Sequence, residues 1–266
     1  MSVDKKYSLL KPIKSSNLIR LGRNSDGGYV VNSEIIKKTN TLISFGMGSD
    51  WSFELDYIKK NENILIHIYD HTVTSSPYIK DILKYLRRLL TFRGNYRAVS
   101  DRIRYYLNYK NFLSLKNVNF FGEKITNKIE NKIDSDIEKV FSRITDKNEV
   151  ILKCDIEGDE YKILDQLIEQ KHRLSMLIVE FHWIDKNEKL FLDLIKKIKN
   201  FFEIIHIHGN NHYSKAKSGL PVILEITFLN KKYIKEEKIE YIKEFPIQGL
   251  DYPCNQYKED LTFSFE

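Results

Sequence analysis

Cysteine is scarce in this 266-residue chain: there are two, Cys154 in an apolar run and Cys254 behind a proline. Two such residues build no disulfide framework and neither belongs to a C-x-x-C pair, so a reducing compartment is expected. Long apolar runs are missing too. No stretch approaches the roughly eighteen consecutive apolar residues of a membrane span. The N-terminal MSVDKKYSLLKPIK lacks the apolar core of a signal peptide, so the expected location is cytoplasmic. No block of like charges marks a polybasic tail, and neither internal repeats nor Gly/Ser linkers divide the chain.

What is present suits one folded domain. Hydrophobic residues make up 42% of the chain and aromatics 12%, enough for a sizeable core and too many for disorder. The net charge is +6. Lysines spread over solvated helix faces account for it; attraction to nucleic acid, a lipid surface or a sugar phosphate is the other reading.

Short β-rich runs alternate with longer amphipathic stretches, which predicts βαβ units and a mostly parallel sheet. Seven strands are expected, over residues 41–46, 64–69, 118–121, 150–156, 176–181, 204–208 and 222–229. Helices are expected from near Trp51, with Ser49 or Asp50 as cap, and over 77–90, 135–144, 159–170 and 188–201. Residues 91–116, rich in Arg, Tyr and Asn, read as a helical insert, and the tail from 233 onward has no assignable structure. The fold class is thus α/β, a doubly wound Rossmann-like sheet in a single domain with its core over about 20–232.

The first strand runs into S-F-G-M-G-S-D, where Gly46 and Gly48 let backbone approach a ligand at the carboxyl edge of the sheet. The third position of a G-x-G-x-x-G fingerprint is Trp51 here, which favours a nucleoside without phosphates over a dinucleotide. Asp70, at the end of the second strand, suits the ribose hydroxyls, although capping the next helix is an alternative use. Three later strand ends carry polar groups: Asp155 and Glu157, then Glu180 and His182, then His206, His208 and Asn210. In a parallel sheet all three meet at one edge, and a ligand crevice makes their burial intelligible. Asp155 or Glu157 could instead cap the next helix, His182 could be a core histidine, and His206 and His208 could line a loop.

Taken in order, R-L-G-R-N-S-D-G-G-Y-V-V (20–31), I-S-F-G-M-G-S-D-W-S-F-E (43–54), L-K-C-D-I-E-G-D-E (152–160), V-E-F-H-W (179–183), H-I-H-G-N-N (206–211) and L-E-I-T-F (224–228) resemble the FkbM-type methyltransferases. The resemblance leaves the insert and the tail uncovered. It implies a class I methyltransferase sheet whose last strand is antiparallel. It implies O-methylation by S-adenosylmethionine, often of a sugar hydroxyl in surface polysaccharide or natural-product biosynthesis, with a sugar, sugar-nucleotide or glycan acceptor. Gly46, Gly48 and Asp70 fall at the cofactor, and the segment of Asp26, Gly27, Gly28 and Tyr29 near its methionine end or over the substrate.

Such a transfer needs alignment and a proton acceptor. His182 is the candidate base, Glu180 its orienting partner and Asp155 the second candidate; Glu157, His206, His208 and Asn210 are expected to hold the acceptor. A divalent metal on Asp155, Glu157, His182 and His208 is not favoured, since no H-E-x-x-H spacing exists. A nucleic-acid methyltransferase is the rival enzyme, supported by the Arg/Tyr-rich stretch 87–109 and opposed by the missing N/D-P-P-Y/F motif. A non-catalytic nucleoside- or sugar-binding domain is the rival of another class, and a metal-assisted hydrolase a weaker third. Homo-oligomerisation is left open.

Overall fold

A computed structural model describes residues 2–145, 148–234 and 239–266. The chain opens with a short 3-10 turn and the hairpin β1 (Leu18–Leu21) and β2 (Tyr29–Asn32), followed by α1 (Ser33–Lys38). Then come β3 (Thr41–Phe45), α2 (Ser52–Lys60), β4 (Leu65–Tyr69), the helical pair α3 (Ser75–Leu90) and α4 (Tyr96–Leu113), and β5 (Val118–Phe121). Two-residue strands β6 (Lys124–Ile125) and β7 (Asp134–Ser135) precede α5 (Ile137–Ser142), β8 (Val150–Cys154), α6 (Glu160–Glu169) and β9 (Leu174–Phe181). The chain continues through α7 (Glu188–Lys199), β10 (Phe202–Gly209), β11 (Leu224–Asn230), β12 (Glu244–Phe245) and β13 (Phe263–Ser264).

Seven strands form one sheet in the order β10-β11-β9-β8-β3-β4-β5. β3, β4, β5, β8 and β9 run parallel, and β11 is inserted antiparallel between β9 and β10. This is the doubly wound Rossmann-like sheet expected, its last strand antiparallel. The order reverses at β3, between β4 and β8, so a crevice opens there at the carboxyl ends of the strands.

Alternation along the strands divides the core in two. Ile43, Phe45, Val150, Leu152 and Cys154 pack with α5, α6 and α7 on one face. Leu42, Ile66, Ile68 and Ile151 pack with α1, α2, α4 and the β1–β2 hairpin on the other. Several helices start where a short polar side chain takes one of their first N–H groups. Asp50 accepts from Ser52 N at 3.0 Å ahead of α2, and Asp136 accepts from Lys139 N at 2.8 Å ahead of α5. On α7 the buried residues Phe191, Leu194, Ile195 and Ile198 recur at helical spacing, which is why that helix was plain in the sequence.

Two segments differ from expectation. Residues 18–32, of which 20–31 stood out in the sequence only through a family resemblance and had no assigned structure, form a hairpin that lies on the sheet, where Thr227 Oγ1 donates to Val30 O at 2.6 Å. The tail is part of the core: Phe245, Phe263 and Phe265 are buried, and Val3 N donates to Ser264 O at 2.8 Å, joining the two ends of the chain. Its Lys/Glu-rich stretch at 235–238 lies outside the described residues.

Candidate active site

A cleft of 460 Å³ opens at the switch point of the sheet, a size that suits a small-molecule ligand. Its floor is the turn after β3. Gly46 has φ +73°, and a Cβ there would sit 1.7 Å from the carbonyl oxygen of Asp155, so only glycine fits. Gly48 has φ +59° with nothing within 4 Å of a Cβ, so its bare backbone faces the cleft.

Asp70 holds this turn together. One carboxylate oxygen accepts from Met47 N at 3.0 Å and Gly48 N at 2.8 Å. The other accepts from Thr72 N at 2.8 Å, Thr72 Oγ1 at 2.6 Å and Val73 N at 3.3 Å. Burial works against its charge, but these donors outweigh it and keep the carboxyl below its usual pKa. Asp70 is thus first an organiser of the loop, and lies on the cleft wall expected to meet a ribose.

Beside the turn lies a charged residue the sequence did not single out. Glu54, on α2, is buried; one carboxylate oxygen accepts from Ser44 Oγ at 2.6 Å and the other has no partner. Burial pushes its pKa up, against the opposing pull of Lys153. Lys153 is buried as well, donates to Gly46 O at 2.8 Å and lies over the Tyr29 ring at 5.1 Å.

The far side of the cleft is acidic. Tyr29 Oη donates to Asp155 Oδ2 at 2.9 Å, and Asp155 Oδ1 lies 4.0 Å from His182 Nε2. Glu157 reaches the same nitrogen at 3.5 Å from a left-handed backbone (φ +56°), and Trp183, next to His182, is left-handed too (φ +55°). Bulky residues rarely hold that conformation, and such strain tends to collect at functional sites. Neither Asp155 nor Glu157 accepts a cap bond at the start of α6.

The partner of His182 is Glu160, not Glu180. Glu160, fully buried at the start of α6, accepts from His182 N at 2.7 Å and from Gly158 N at 2.7 Å, and lies 3.4 Å from His182 Nδ1. Burial disfavours the charged ring, but Glu160, then Asp155 and Glu157, outweigh it and raise the imidazole pKa above its usual value. Glu180 instead accepts from Asn210 Nδ2 at 2.8 Å.

His206, His208 and Asn210, expected to hold an acceptor, are buried away from the cleft. His206 Nε2 stands 3.0 Å from Asp251, and His208 bridges Glu225 and Asp260 at 3.2 Å each. Asp251 and Asp260 belong to the tail, so two of the three carboxylates facing these histidines come from the segment the sequence left unplaced, while Glu225 comes from β11. Gly28 also stands back from the cleft, donating to Ser25 O at 3.3 Å, while Asp26, Gly27 and Tyr29 line it. Among the described residues, two sets of donors converge to within 4.8 Å: Asp155, Glu157 and His182, of which the two acids line the cleft and the buried imidazole stands behind them, and His208, Glu225 and Cys254 in the interior.

Neither a protein-family model nor a curated protein matches the chain. Several solved structures resemble it distantly. Human methyltransferase-like protein 13, in complex with SAH, is 12% identical over 79% of each chain, with a TM-score of 0.41. The protein of a fibrillarin/Nop5p complex is 10% identical over 74% of this chain and 79% of its own, with a TM-score of 0.39. Fibrillarin pre-rRNA processing protein from Methanococcus jannaschii is 10% identical over 73% and 68%, with a TM-score of 0.38. Likenesses this distant carry no argument about activity, and the site must be read from its own geometry.

Proposed function

We propose that this protein is an S-adenosylmethionine-dependent O-methyltransferase acting on a hydroxyl of a sugar or other polyhydroxylated acceptor, of the FkbM type that the sequence resembles. The observation that carries the reading is the two-ended cleft. One end offers bare glycine backbone, the Asp70 wall and an unpartnered carboxylate oxygen on Glu54. The other offers Asp155 and Glu157 on its wall, with the buried His182 Nε2 behind them, 3.5 Å from Glu157 and 4.0 Å from Asp155. A nucleoside bearing an amino acid matches the first end: glycine backbone for the nucleoside, Glu54 for an ammonium. A hydroxyl-rich acceptor matches the second, where carboxylates and an imidazole accept hydrogen bonds.

In the reaction the acceptor oxygen attacks the methyl carbon opposite sulfur. The O–CH₃ bond forms, the S–CH₃ bond breaks, and S-adenosylhomocysteine leaves with the bonding pair on sulfur. The hydroxyl proton passes to His182 Nε2, and the Glu160 and Asp155 carboxylates stabilise the imidazolium that results. General-base assistance of this kind is worth about 10²–10⁴ in rate. The acidic acceptor end disfavours the nucleic-acid reading, because Asp26, Asp155 and Glu157 would repel a phosphate backbone.

Calorimetric titration with S-adenosylhomocysteine tests the cofactor. Wild type is expected to bind, and Glu54→Gln, which cannot pair with the ammonium, at least tenfold more weakly. No heat and no thermal shift with wild type would sink the reading.

A further inference from the structure

The α3–α4 hairpin is built unlike the rest of the molecule. Between residues 75 and 113 it carries nine Lys and Arg against two Asp, a local charge of +7 where the whole chain has +6. The excess charge of the protein is therefore concentrated here rather than spread over its surface. α3 buries no residue at all. Ile79, Leu83, Leu86 and Leu90 recur at helical spacing along one side of it, and all four are exposed. The stripe ends at the turn between the helices, where Leu90 is 79% and Phe92 98% exposed. An isolated exposed leucine needs no explanation, whereas a periodic apolar stripe beside a dense cationic one does.

We propose that the α3–α4 hairpin docks this protein on an anionic lipid surface. The apolar stripe and the Phe92 tip enter the headgroup boundary, while basic residues such as Lys84, Arg87 and Arg93 meet the lipid charges. A second copy of the chain is a poor occupant, since two +7 surfaces repel each other. RNA is a poor one because the hairpin's inner tyrosines are already used: Tyr78 stacks on Tyr109 at 4.7 Å and packs against Tyr105 and Tyr106, and Arg102 lies over Tyr85 at 4.8 Å. Outside, the aliphatic Ile79, Leu83, Leu86, Leu90, Ile103 and Leu107 outnumber the aromatic Phe92 and Tyr96, which suits acyl chains more than bases. The hairpin is rooted at the cleft, where Tyr105 Oη donates to Ser49 O and Trp51 packs against Tyr105, Tyr109 and Phe112. Docking would keep the mouth of the cleft near the lipid surface.

Flotation of the full chain with vesicles of phosphatidylcholine, alone or mixed with phosphatidylglycerol, tests this. Wild type is expected to float with the mixed vesicles, in a salt-sensitive manner, and not with phosphatidylcholine alone. Two variants separate the contributions: Leu83→Asp/Leu90→Asp/Phe92→Asp and Lys84→Gln/Arg87→Gln/Arg93→Gln. All six side chains are exposed, so both should fold and melt as wild type does. Each is expected to lose at least tenfold in partitioning; the basic set should lose roughly fivefold per charge near the surface. The proposal is overturned if wild type stays unbound with the mixed vesicles. Equal binding by the Leu/Phe variant overturns it too, as does retention on single-stranded RNA or self-association through the stripe without vesicle binding.

Discussion

Glu180 and Glu225 face each other directly across the antiparallel strands β9 and β11, and both are buried. Glu225 in turn faces His208 on β10. A row of ionisable groups therefore crosses three strands in the interior, and its first two members are both acids.

Two such carboxylates cannot both be charged at low cost. Burial, with Asp155 and Glu225, pushes the Glu180 pKa well above its usual value. The folded protein thus keeps a proton that the unfolded chain releases near its ordinary pKa of about 4.3. The associated stability is complete below that pH and is lost as pH rises toward the folded value, by up to about 1.4 kcal/mol per pH unit. Glu180→Gln retains the acceptor for Asn210 and should flatten this slope, melting at or above wild type at neutral pH. Thermal melts from about pH 4 to 8 would decide it; an unchanged slope in the variant refutes the assignment.

His182 should control the pH profile of methyl transfer. Its pKa is raised, so the neutral ring that accepts a proton gains population only above the usual histidine range, and the rate should climb there. Glu160→Gln removes the largest opposing charge and should move this acid limb to lower pH. It also disturbs one of two backbone contacts, at a cost of about 1–3 kcal/mol. His182→Ala should lose about 10²–10⁴ in kcat with S-adenosylhomocysteine binding kept. Equal losses of binding and rate would move His182 out of the proton-accepting role.

The two glycines of the turn should respond differently to alanine. At Gly46 the new Cβ meets the Asp155 backbone, which cannot swing aside, so Gly46→Ala is expected to lose at least about 3 kcal/mol of stability. At Gly48 the only penalty is the left-handed conformation, about 1–2 kcal/mol. Gly48→Ala should therefore fold and bind cofactor poorly, because its methyl group projects into the cleft. Denaturant melts beside calorimetry separate the two effects, and tight binding by Gly48→Ala would count against a ligand on that backbone.

Asp251 should matter to stability far from the cleft. Its carboxylate faces His206 and also accepts from Ile247 N at 2.7 Å, and these contacts, led by the His206 charge, hold its pKa below the usual range in spite of burial. Asp251→Ala leaves the buried His206 ring and the Ile247 N–H without the carboxylate they face, at a cost of about 1–3 kcal/mol. A chemical-denaturation midpoint equal to wild type would show that the pair contributes nothing.

Much of the fold was legible in the sequence because its central strands are continuous apolar runs between turn residues. β5 begins and ends where expected, and β3, β4, β8 and β11 differ by a few residues at most. The glycine turn and the polar strand ends were legible for the same reason: a polar residue after an apolar run stands out. What was hidden depends on partners distant in the chain. Glu160 looks like an ordinary first-turn acid of α6, and nothing local says that His182, 22 residues on, will rest its backbone on it. Glu54 reads as one more residue of an amphipathic helix. Alternation along β10 predicts which way His206 and His208 face, but not that residues 251 and 260 will cover them.

The contact between Val3 and Ser264 also has a temporal side. Ribosomes deliver this chain in order, and Phe263 and Phe265 complete the same apolar cluster as Val3, Tyr7 and Leu10. Until those late phenylalanines emerge, the first-made segment has no finished surface to settle on. The nascent protein therefore passes through an interval with that corner of the cluster uncovered, although α5, α6 and α7 already pack on the rest of the face, and there chaperones, or neighbouring chains, have access to it.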